Sequence, residues 1–499
     1  MNTREFSIRI KSGNRCLVNA ENFPVYQKEI TFLFGESGIG KSIITKGLYG
    51  LLDPEDLAVT INNKPYGYHL NDNWTKQIRR NGFFVFQEPS SHLNPLLTIK
   101  EQLNEGSLSD HDDQEILRYL WQTNNDSSIS KIIDIFPKPY RPSGGEKQRV
   151  LLAMAFKRIN AFIENPSNEQ TAFVFDEPTG SLDNNYRNRF LELLFAKYSA
   201  HPFTAIIITH DYSIISEIYS RHRHLVKNIH FKELSRTNEP DVDIQDFSPQ
   251  QYLSWLQTGQ SQCKENDTKE KVMEFSSRFS IFNRNLCIYN DEMRQHPSSL
   301  VIKKGDMVYL KAPSGVGKTT LAKVVMGLYH ADSFKMRLAG LPANEKSPET
   351  LWQKRIWGKK AGMVFQHADE SLNLQATVLE TFRGLPLKSK LTPEGLKRYL
   401  LDLFDHSTLT DQFLHKKVAF LSGGQKQRLN LLRTLVQAPD LIILDEPLNG
   451  LDFNSVKRVL ELLNQKRSQG TSMLMISHNE EIFEHFVSRE NIYYLSEIG

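Results

Sequence analysis

Short, unbroken apolar runs recur along this chain, and each stops at a polar or glycine-rich turn. Residues 30–34 form one; "AFVF" (172–175), "AIII" (205–208), "LIIL" (441–444) and "MLMI" (473–476) are others. Runs of four or five without polar alternation predict strands buried on both faces, as in a parallel sheet. Longer segments with apolar residues at helical spacing predict helices; "SIITKGLYGLL" from Ser42 and "EKQRVLLAMAFKR" from Glu146 are two. Alternation of the two patterns predicts an α/β fold with a mostly parallel sheet covered by helices.

The turn after the first run reads "GESGIGKS", residues 35–42, and fits G-x-x-x-x-G-K-[ST]. Strand, loop and helix stand in the order a phosphate-binding loop requires. Gly35, Gly38 and Gly40 let successive backbone N–H groups curl around phosphate oxygens, and the helix start adds positive potential. Lys41 can reach the outer phosphates and the Ser42 hydroxyl can ligate Mg²⁺. The phrase returns as "APSGVGKT", residues 312–319, with Ala312 at the first glycine and Gly315, Gly317, Lys318 and Thr319 retained.

Other landmarks repeat in the same order. Lys41, Gln87, Ser143, Asp176 and His210 pair with Lys318, Gln366, Ser422, Asp445 and His478 at offsets of 277, 279, 279, 269 and 268. The one step corresponds to ten extra residues in the polar stretch "RINAFIENPSNEQT", which reads as a loop insertion. The chain is therefore a tandem duplication. The expected division is a first domain over 1–231, a linker over 232–271 and a second domain over 272–499. The linker reading rests on polar composition and weak periodicity, apart from "QQYLSWL".

The strands ending in Asp-Glu carry further chemistry. Asp176 and Asp445 can hold Mg²⁺, and the following Glu177 and Glu446 can orient or deprotonate an attacking water. His210 and His478 follow further strands, where an imidazole can donate to a terminal phosphate. Gln87 and Gln366 are candidates for contact with the metal or the water. Alone, each of these is an ordinary strand end; matched positions in both halves favour function. "SGG" precedes a helix in each half, giving Ser143, Gly144, Gly145 and Glu146, and Ser422, Gly423, Gly424 and Gln425. A second anion cradle in one domain makes sense if it clamps the nucleotide of the other, so that two copies form an intramolecular pair.

Composition adds limits. A chain of 499 residues suggests two to four domains, and a formal charge of +3 supports no nucleic-acid partner. Cys16, Cys263 and Cys287 lack metal-ligand spacing and suit a reducing cytosol. The charged start "MNTREFSIRIKSGNR" lacks the apolar segment of a signal peptide, and no run approaches a bilayer span. "RHRHLVKNIH", with His222 and His224 on one face of an expected strand, reads as a solvated surface because flanking arginines repel a cation.

Together the phosphate loop, Gln, "SGG" phrase, Asp-Glu strand, "SLD" or "GLD" and His resemble the ATP-binding cassette (ABC) superfamily over nearly everything but the linker. The resemblance implies two P-loop NTPase domains, each with an inserted helical subdomain, using ATP and Mg²⁺. It implies one site from Lys41, Ser42, Gln87, Asp176, Glu177 and His210, closed by Ser422, Gly423, Gly424 and Gln425. The other uses Lys318, Thr319, Gln366, Asp445, Glu446 and His478, closed by Ser143, Gly144, Gly145 and Glu146. Glu146 departs from the usual Gln and would bring a carboxylate near the nucleotide. Phe282 is the candidate for stacking on adenine in the second half.

"FQEPSSHLNPLLTI" resembles the pattern of dipeptide, oligopeptide and nickel importer ATPases; "FQHADESLNLQATV" keeps Leu372, Asn373, Thr377 and Val378. The importers' usual C-terminal cysteine cluster is missing, which speaks against an iron–sulfur role. The resemblance implies an energising subunit docked on separate membrane-spanning permease subunits at the inner face of the membrane, with an extracytoplasmic solute-binding protein. The alternative class is a soluble twin-cassette ATPase on ribosomes or DNA. Ribosomal twin cassettes generally carry a longer, more basic linker, and repair ATPases carry zinc-binding cysteines not found here.

Overall fold

The computed structural model describes residues 3–104, 114–123, 126–135, 142–165, 170–180, 184–238, 240–262, 268–313, 315–387, 392–406 and 408–498. Cys263 and the "SLD" phrase at 181–183 lie outside them. The chain divides into two compact units, Met1–Tyr252 and Leu253–Gly499.

In the first unit the strands are β1 (Thr3–Ser12), β2 (Arg15–Tyr26), β3 (Ile30–Gly35), β4 (Ala58–Ile61) and β5 (Lys64–Pro65), then β6 (Phe83–Val85), β7 (Ala172–Asp176), β8 (Thr204–Ile208), β9 (Ile229–Asn238) and β10 (Asp241–Asp246). Among the described residues they form one sheet in the order β5-β4-β1-β2-β10-β9-β3-β8-β7-β6. The run β9-β3-β8-β7-β6 is parallel throughout. Every residue of β3, β7 and β8 is buried, as continuous apolar runs require when helices cover both faces.

The second unit holds β11 (Lys271–Phe275), β12 (Arg278–Ile281), β13 (Arg284–Tyr289), β14 (Leu300–Lys303), β15 (Met307–Lys311) and β16 (Lys335–Leu338). It continues with β17 (Leu341–Asn344), β18 (Ala361–Val364), β19 (Leu441–Asp445), β20 (Ser472–Ile476) and β21 (Ile492–Ile498). One sheet runs β12-β13-β21-β15-β20-β19-β18 and another β14-β11-β16-β17. Its parallel run, β21-β15-β20-β19-β18, repeats the first unit's connectivity strand for strand. The duplication seen in the motifs is thus a duplication of topology.

Three details differ from the expectations. Residues 232–238 and 241–246, placed in the linker, lie within β9 and β10, and helix Pro249–Gln262 follows. Their charges had masked an alternation in which Leu234 and Val242 are buried while polar neighbours face outward. The helix buries Tyr252 and Leu256, and the division between the units falls inside it. The ten-residue insertion begins as extra helix: Gly144–Glu164 has 21 residues against 13 in Gly423–Leu435, with Ile159 and Phe162 buried. Residues around His222 and His224 form a 3₁₀ turn, Arg223–Asn228, rather than a strand.

Candidate functional site

Ligand sites of parallel sheets lie outside the carboxyl ends of the strands, and that is where the expected residues gather. After β3 the backbone takes φ of 135° at Gly35, 82° at Gly38 and 119° at Gly40, before helix Lys41–Tyr49 begins. These are left-handed values that glycine adopts without steric cost. At Gly35 a Cβ would also come within 2.6 Å of the Leu234 carbonyl oxygen. Lys41 Nζ donates to the carbonyls of Gly35 at 2.6 Å and Glu36 at 3.1 Å, so the ammonium lies inside the loop. Burial pulls its pKa down, opposed by Glu177 and Asp176.

In the second unit Gly315 and Gly317 take φ of 79° and 122°, and Lys318 Nζ donates to the carbonyls of Ala312 and, at 3.3 Å, Pro313. Ala312 is buried in the core of its unit, which accounts for a methyl group at that position. The cradle survives the change.

Beside each loop stands a buried aspartate. Ser42 Oγ donates to Asp176 Oδ1 at 2.9 Å, while Oδ2 is buried without a hydrogen-bond partner among the described residues. Burial pushes the Asp176 carboxyl up to about 6, with Ser42 pulling the other way. Asp445 is likewise pushed up to about 6 by burial. Thr319 lies near enough to lower it, while among the described residues neither Asp445 oxygen has a hydrogen-bond partner of good geometry. A hydroxyl and a carboxylate with unused lone pairs, both next to a phosphate loop, suit a small oxygen-seeking cation such as Mg²⁺.

Glu177 and Glu446 both have φ of 50°, uncommon for a non-glycine residue. Each backbone N–H bonds the last carbonyl of the neighbouring strand, Ile208 at 3.0 Å and Ile476 at 2.8 Å. The side chains differ in their partners. His210 Nδ1 meets Glu177 Oε2 at 2.8 Å, whereas His478 Nε2 stands 3.6 Å from Glu446 Oε1. Glu446 is held instead by Ser477, whose Oγ donates to Oε2 at 2.9 Å. Burial opposes ionisation of Glu177, but His210 and Lys41 outweigh it and keep the carboxyl below its ordinary range. Burial wins at Glu446 and raises it to about 7.

Gln87 and Gln366 stand two residues beyond β6 and β18, at the same sheet end. Among the described residues no hydrogen bond ties either amide to the carboxylates. Phe282 is exposed at the β12–β13 turn and meets Tyr329 edge-on, with ring centroids 5.6 Å apart.

Ser143 and Ser422 cap the helices Gly144–Glu164 and Gly423–Leu435, with Gly144, Gly145, Gly423 and Gly424 opening the first turn. Both are capping boxes: Glu146 Oε2 accepts the Ser143 N–H at 2.7 Å, and Gln425 Oε1 accepts the Ser422 N–H at 3.1 Å. Glu and Gln do the same local work, so the Glu146 charge is folded back on its own helix start. One residue on, Lys147 Nζ donates to Ser90 at 3.0 Å and Lys426 pairs with Asp369 at 2.9 Å. Each signature helix is thereby tied to the segment following the Gln.

Sequence reasoning missed two features. One is the left-handed backbone at Glu177 and Glu446, which the sequence does not signal, since Pro178 and Pro447 only steer the preceding residue from the right-handed helical region toward extended backbone. The other is the set around the histidines. Asp211 bonds Arg187 Nη1 at 2.9 Å, and its N–H donates to Thr209 Oγ1 at 3.0 Å. The matching residues in the second unit are Asn479, Val456 and Ser477, so that ion pair is not repeated there.

The sequence profile of the family described as "ABC transporter" matches residues 18–180 and 295–449. An uncharacterised ABC transporter ATP-binding protein, YejF of Escherichia coli K12, is 27% identical, covering 93% of this chain and 88% of its own. The glutathione import ATP-binding protein GsiA of Shigella dysenteriae is 24% identical over 96% of this chain and 81% of its own. Among solved structures, an RNase-L inhibitor aligns with a TM-score of 0.61 at 17% identity, covering 98% of this chain and 90% of its own. An archaeal ribosome recycling factor, solved with a ribosomal stalk protein, aligns with a TM-score of 0.60 at 18% identity, covering 99% and 90%. At those identities the structural likeness concerns fold alone. Two copies of one parallel-sheet topology, each with a phosphate loop, an Asp-Glu strand end and a capped "SGG" helix, together with the profile match, place this chain in the ABC transporter family as a tandem pair of ATP-binding cassettes.

Proposed function

We propose that the chain is the ATP-hydrolysing subunit of an importer, with both cassettes in one polypeptide and separate permease subunits in the membrane. The cargo class we favour is peptides, nickel or a metal chelate, delivered by an extracytoplasmic solute-binding protein. The observation that carries this reading is the segment after the Gln, where importer-like residues have structural tasks in both halves. Leu93 and Leu372 are buried. Asn94 and Asn373 accept the N–H groups of Leu96 and Gln375, closing the turn. Thr98 and Thr377 pair with Glu101 and Glu380 at the start of the next helical turn. Relatives named as import or transport ATP-binding proteins span nearly the whole chain. No helix of the described residues is long and apolar enough to cross a membrane, in keeping with separate permeases at the inner face.

In this reading Gly35, Gly38, Gly40 and Lys41, or Gly315, Gly317 and Lys318, hold the phosphates of ATP. Ser42 with Asp176, and Thr319 with Asp445, hold Mg²⁺, joined by Gln87 and Gln366. The metal, when bound, neutralises phosphate charge. Glu177 and Glu446 orient the attacking water and accept its proton. His210 and His478 donate to the terminal phosphate. Ser143, Gly144, Gly145 and Glu146 in one cassette, and Ser422, Gly423, Gly424 and Gln425 in the other, offer a further anion cradle at a helix start.

The second reading is a soluble twin-cassette ATPase acting on ribosomes or DNA, a class whose tandem fold this chain shares with the archaeal recycling factor. Sedimentation of the tagged chain at physiological salt separates the two. Recovery with membranes only when candidate permeases are co-expressed supports the importer reading. Stable recovery with ribosomes overturns it.

A further inference from the structure

The two cassettes hold the same glutamate by different partners. In the first, His210 Nδ1 lies 2.8 Å from Glu177 Oε2, and Thr209 Oγ1 is engaged by the Asp211 N–H. Asp211 is itself fixed by Arg187 and by Ser213, whose N–H reaches Oδ1 at 3.0 Å. The loop that carries His210 is therefore tied to helix Asn184–Ala200. In the second cassette Val456 stands in place of Arg187 and Asn479 in place of Asp211, so that tie is not repeated. His478 Nε2 stands 3.6 Å from Glu446 Oε1, beyond hydrogen-bond range, and among the described residues no side chain bonds Oε1. The side-chain bond to the carboxylate comes from Ser477 Oγ, 2.9 Å from Oε2, beside a contact from the His478 backbone N–H, and Ser477 Oγ itself accepts the Asn479 N–H at 3.1 Å. A hydroxyl that accepts from one fixed group and donates to another has its proton direction set. The backbone adds to this, since the carbonyl of Glu446 accepts from Gln427 Nε2 at 3.3 Å.

We propose that Ser477 is the positioning residue for Glu446 in the second cassette, the task that His210 performs for Glu177 in the first. The two halves of the duplication have then diverged in how they aim the attacking water while keeping the residue that activates it. This rests on the reading of Glu446 as the group that receives the proton of water.

The test uses the full chain in steady-state ATP hydrolysis with four variants. Ser477→Ala should remove about nine-tenths of the kcat that Glu446→Gln removes, a roughly tenfold loss in the second cassette from one hydrogen bond to a charged group, with KM for ATP within twofold. Ser477→Thr, which keeps the hydroxyl, should restore kcat. Thr209→Val should lower kcat less than Ser477→Ala does, because Glu177 keeps its bond from His210. Glu446→Gln should abolish the contribution of the second cassette. Loss of activity in Glu446→Gln with normal kcat in Ser477→Ala overturns the positioning role alone. Normal activity in Glu446→Gln overturns the catalytic reading and the positioning role with it. A Ser477→Ala chain that loses kcat and KM together and is not rescued by Thr shows a folding effect and also overturns the proposal.

Discussion

His210 and Glu177 form an imidazole–carboxylate pair at 2.8 Å, with both side chains largely buried. Burial opposes charge on the ring, but Glu177 more than offsets it and holds the His210 pKa above 6.5. The Glu177 carboxyl is held below 4.5 in turn. The stabilisation from Glu177 is present above its unfolded value and lost as pH falls through its lower folded value. The part from His210 is present below 6.5 and lost as pH rises through its raised folded value. The pair therefore supports the first cassette most between those limits. Glu177→Gln leaves burial and Lys41 lowering the ring with only the weaker pull of Asp211 against them, so the His210 pKa should drop below 6.5. Titration of the ring by NMR in both chains checks this, and an unmoved pKa contradicts it.

The glutamates should be needed for turnover and not for binding. Replacing both Glu177 and Glu446 by Gln should reduce ATP hydrolysis by about 10²–10⁴-fold, the usual worth of a general base. Nucleotide affinity should change little, because the phosphates are held by the loops and lysines. Equilibrium binding and steady-state hydrolysis on the same preparation decide it; unchanged hydrolysis removes both residues from the mechanism.

The first positions of the two phosphate loops should not be interchangeable. In Gly35→Ala a methyl group meets the Leu234 carbonyl oxygen at 2.6 Å, on a backbone with φ of 135°. Overpacking of this kind costs about 1–3 kcal/mol and must be relieved by moving the loop. ATP affinity of the first cassette should fall at least tenfold. Ala312→Gly removes a single buried methyl and should retain ATP affinity within about threefold. Binding of a fluorescent ATP analogue, with the other cassette disabled at its lysine, reads both.

Glu146→Gln should be nearly silent. The Glu146 carboxylate accepts the Ser143 N–H, and a Gln in the same place does so at residue 425. Hydrolysis rates and the unfolding midpoint should each match the parent chain, with kcat within twofold. A large rise in kcat would mean that the carboxylate had been facing the nucleotide.

Much of the candidate site's geometry was legible in the sequence because a loop of the phosphate-binding pattern constrains backbone as well as side chains. Gly38, Gly40 and Lys41 are recognisable without knowing where the rest of the chain goes. Asp176 and Asp445 were readable because a buried apolar run ending in a carboxylate has few other uses once a phosphate loop is present. The linker was misjudged for the opposite reason. β9 and β10 are rich in charge, and only their pairing with β3 and β2 shows that Leu234 and Val242 face a core. The unlike support of Glu177 and Glu446 was invisible because both histidines follow the same kind of strand. The difference lies in which oxygen each residue reaches, and no motif records that.

Strand β10 has a consequence for anyone wishing to study one half alone. It pairs with β9 on one side and with Asn19 and Ala20 of β2 on the other, so it joins the parallel core to the antiparallel wing. A first half cut at 231, where the repeat in the motifs ends, would lose β10 and most of β9. It would expose a raw edge on β3 and another on β2, each a row of unpaired N–H and C=O groups ready to recruit a foreign strand. Such a fragment would precipitate for reasons unconnected with nucleotide chemistry. The natural scissile point lies beyond residue 246, after the last strand of the sheet.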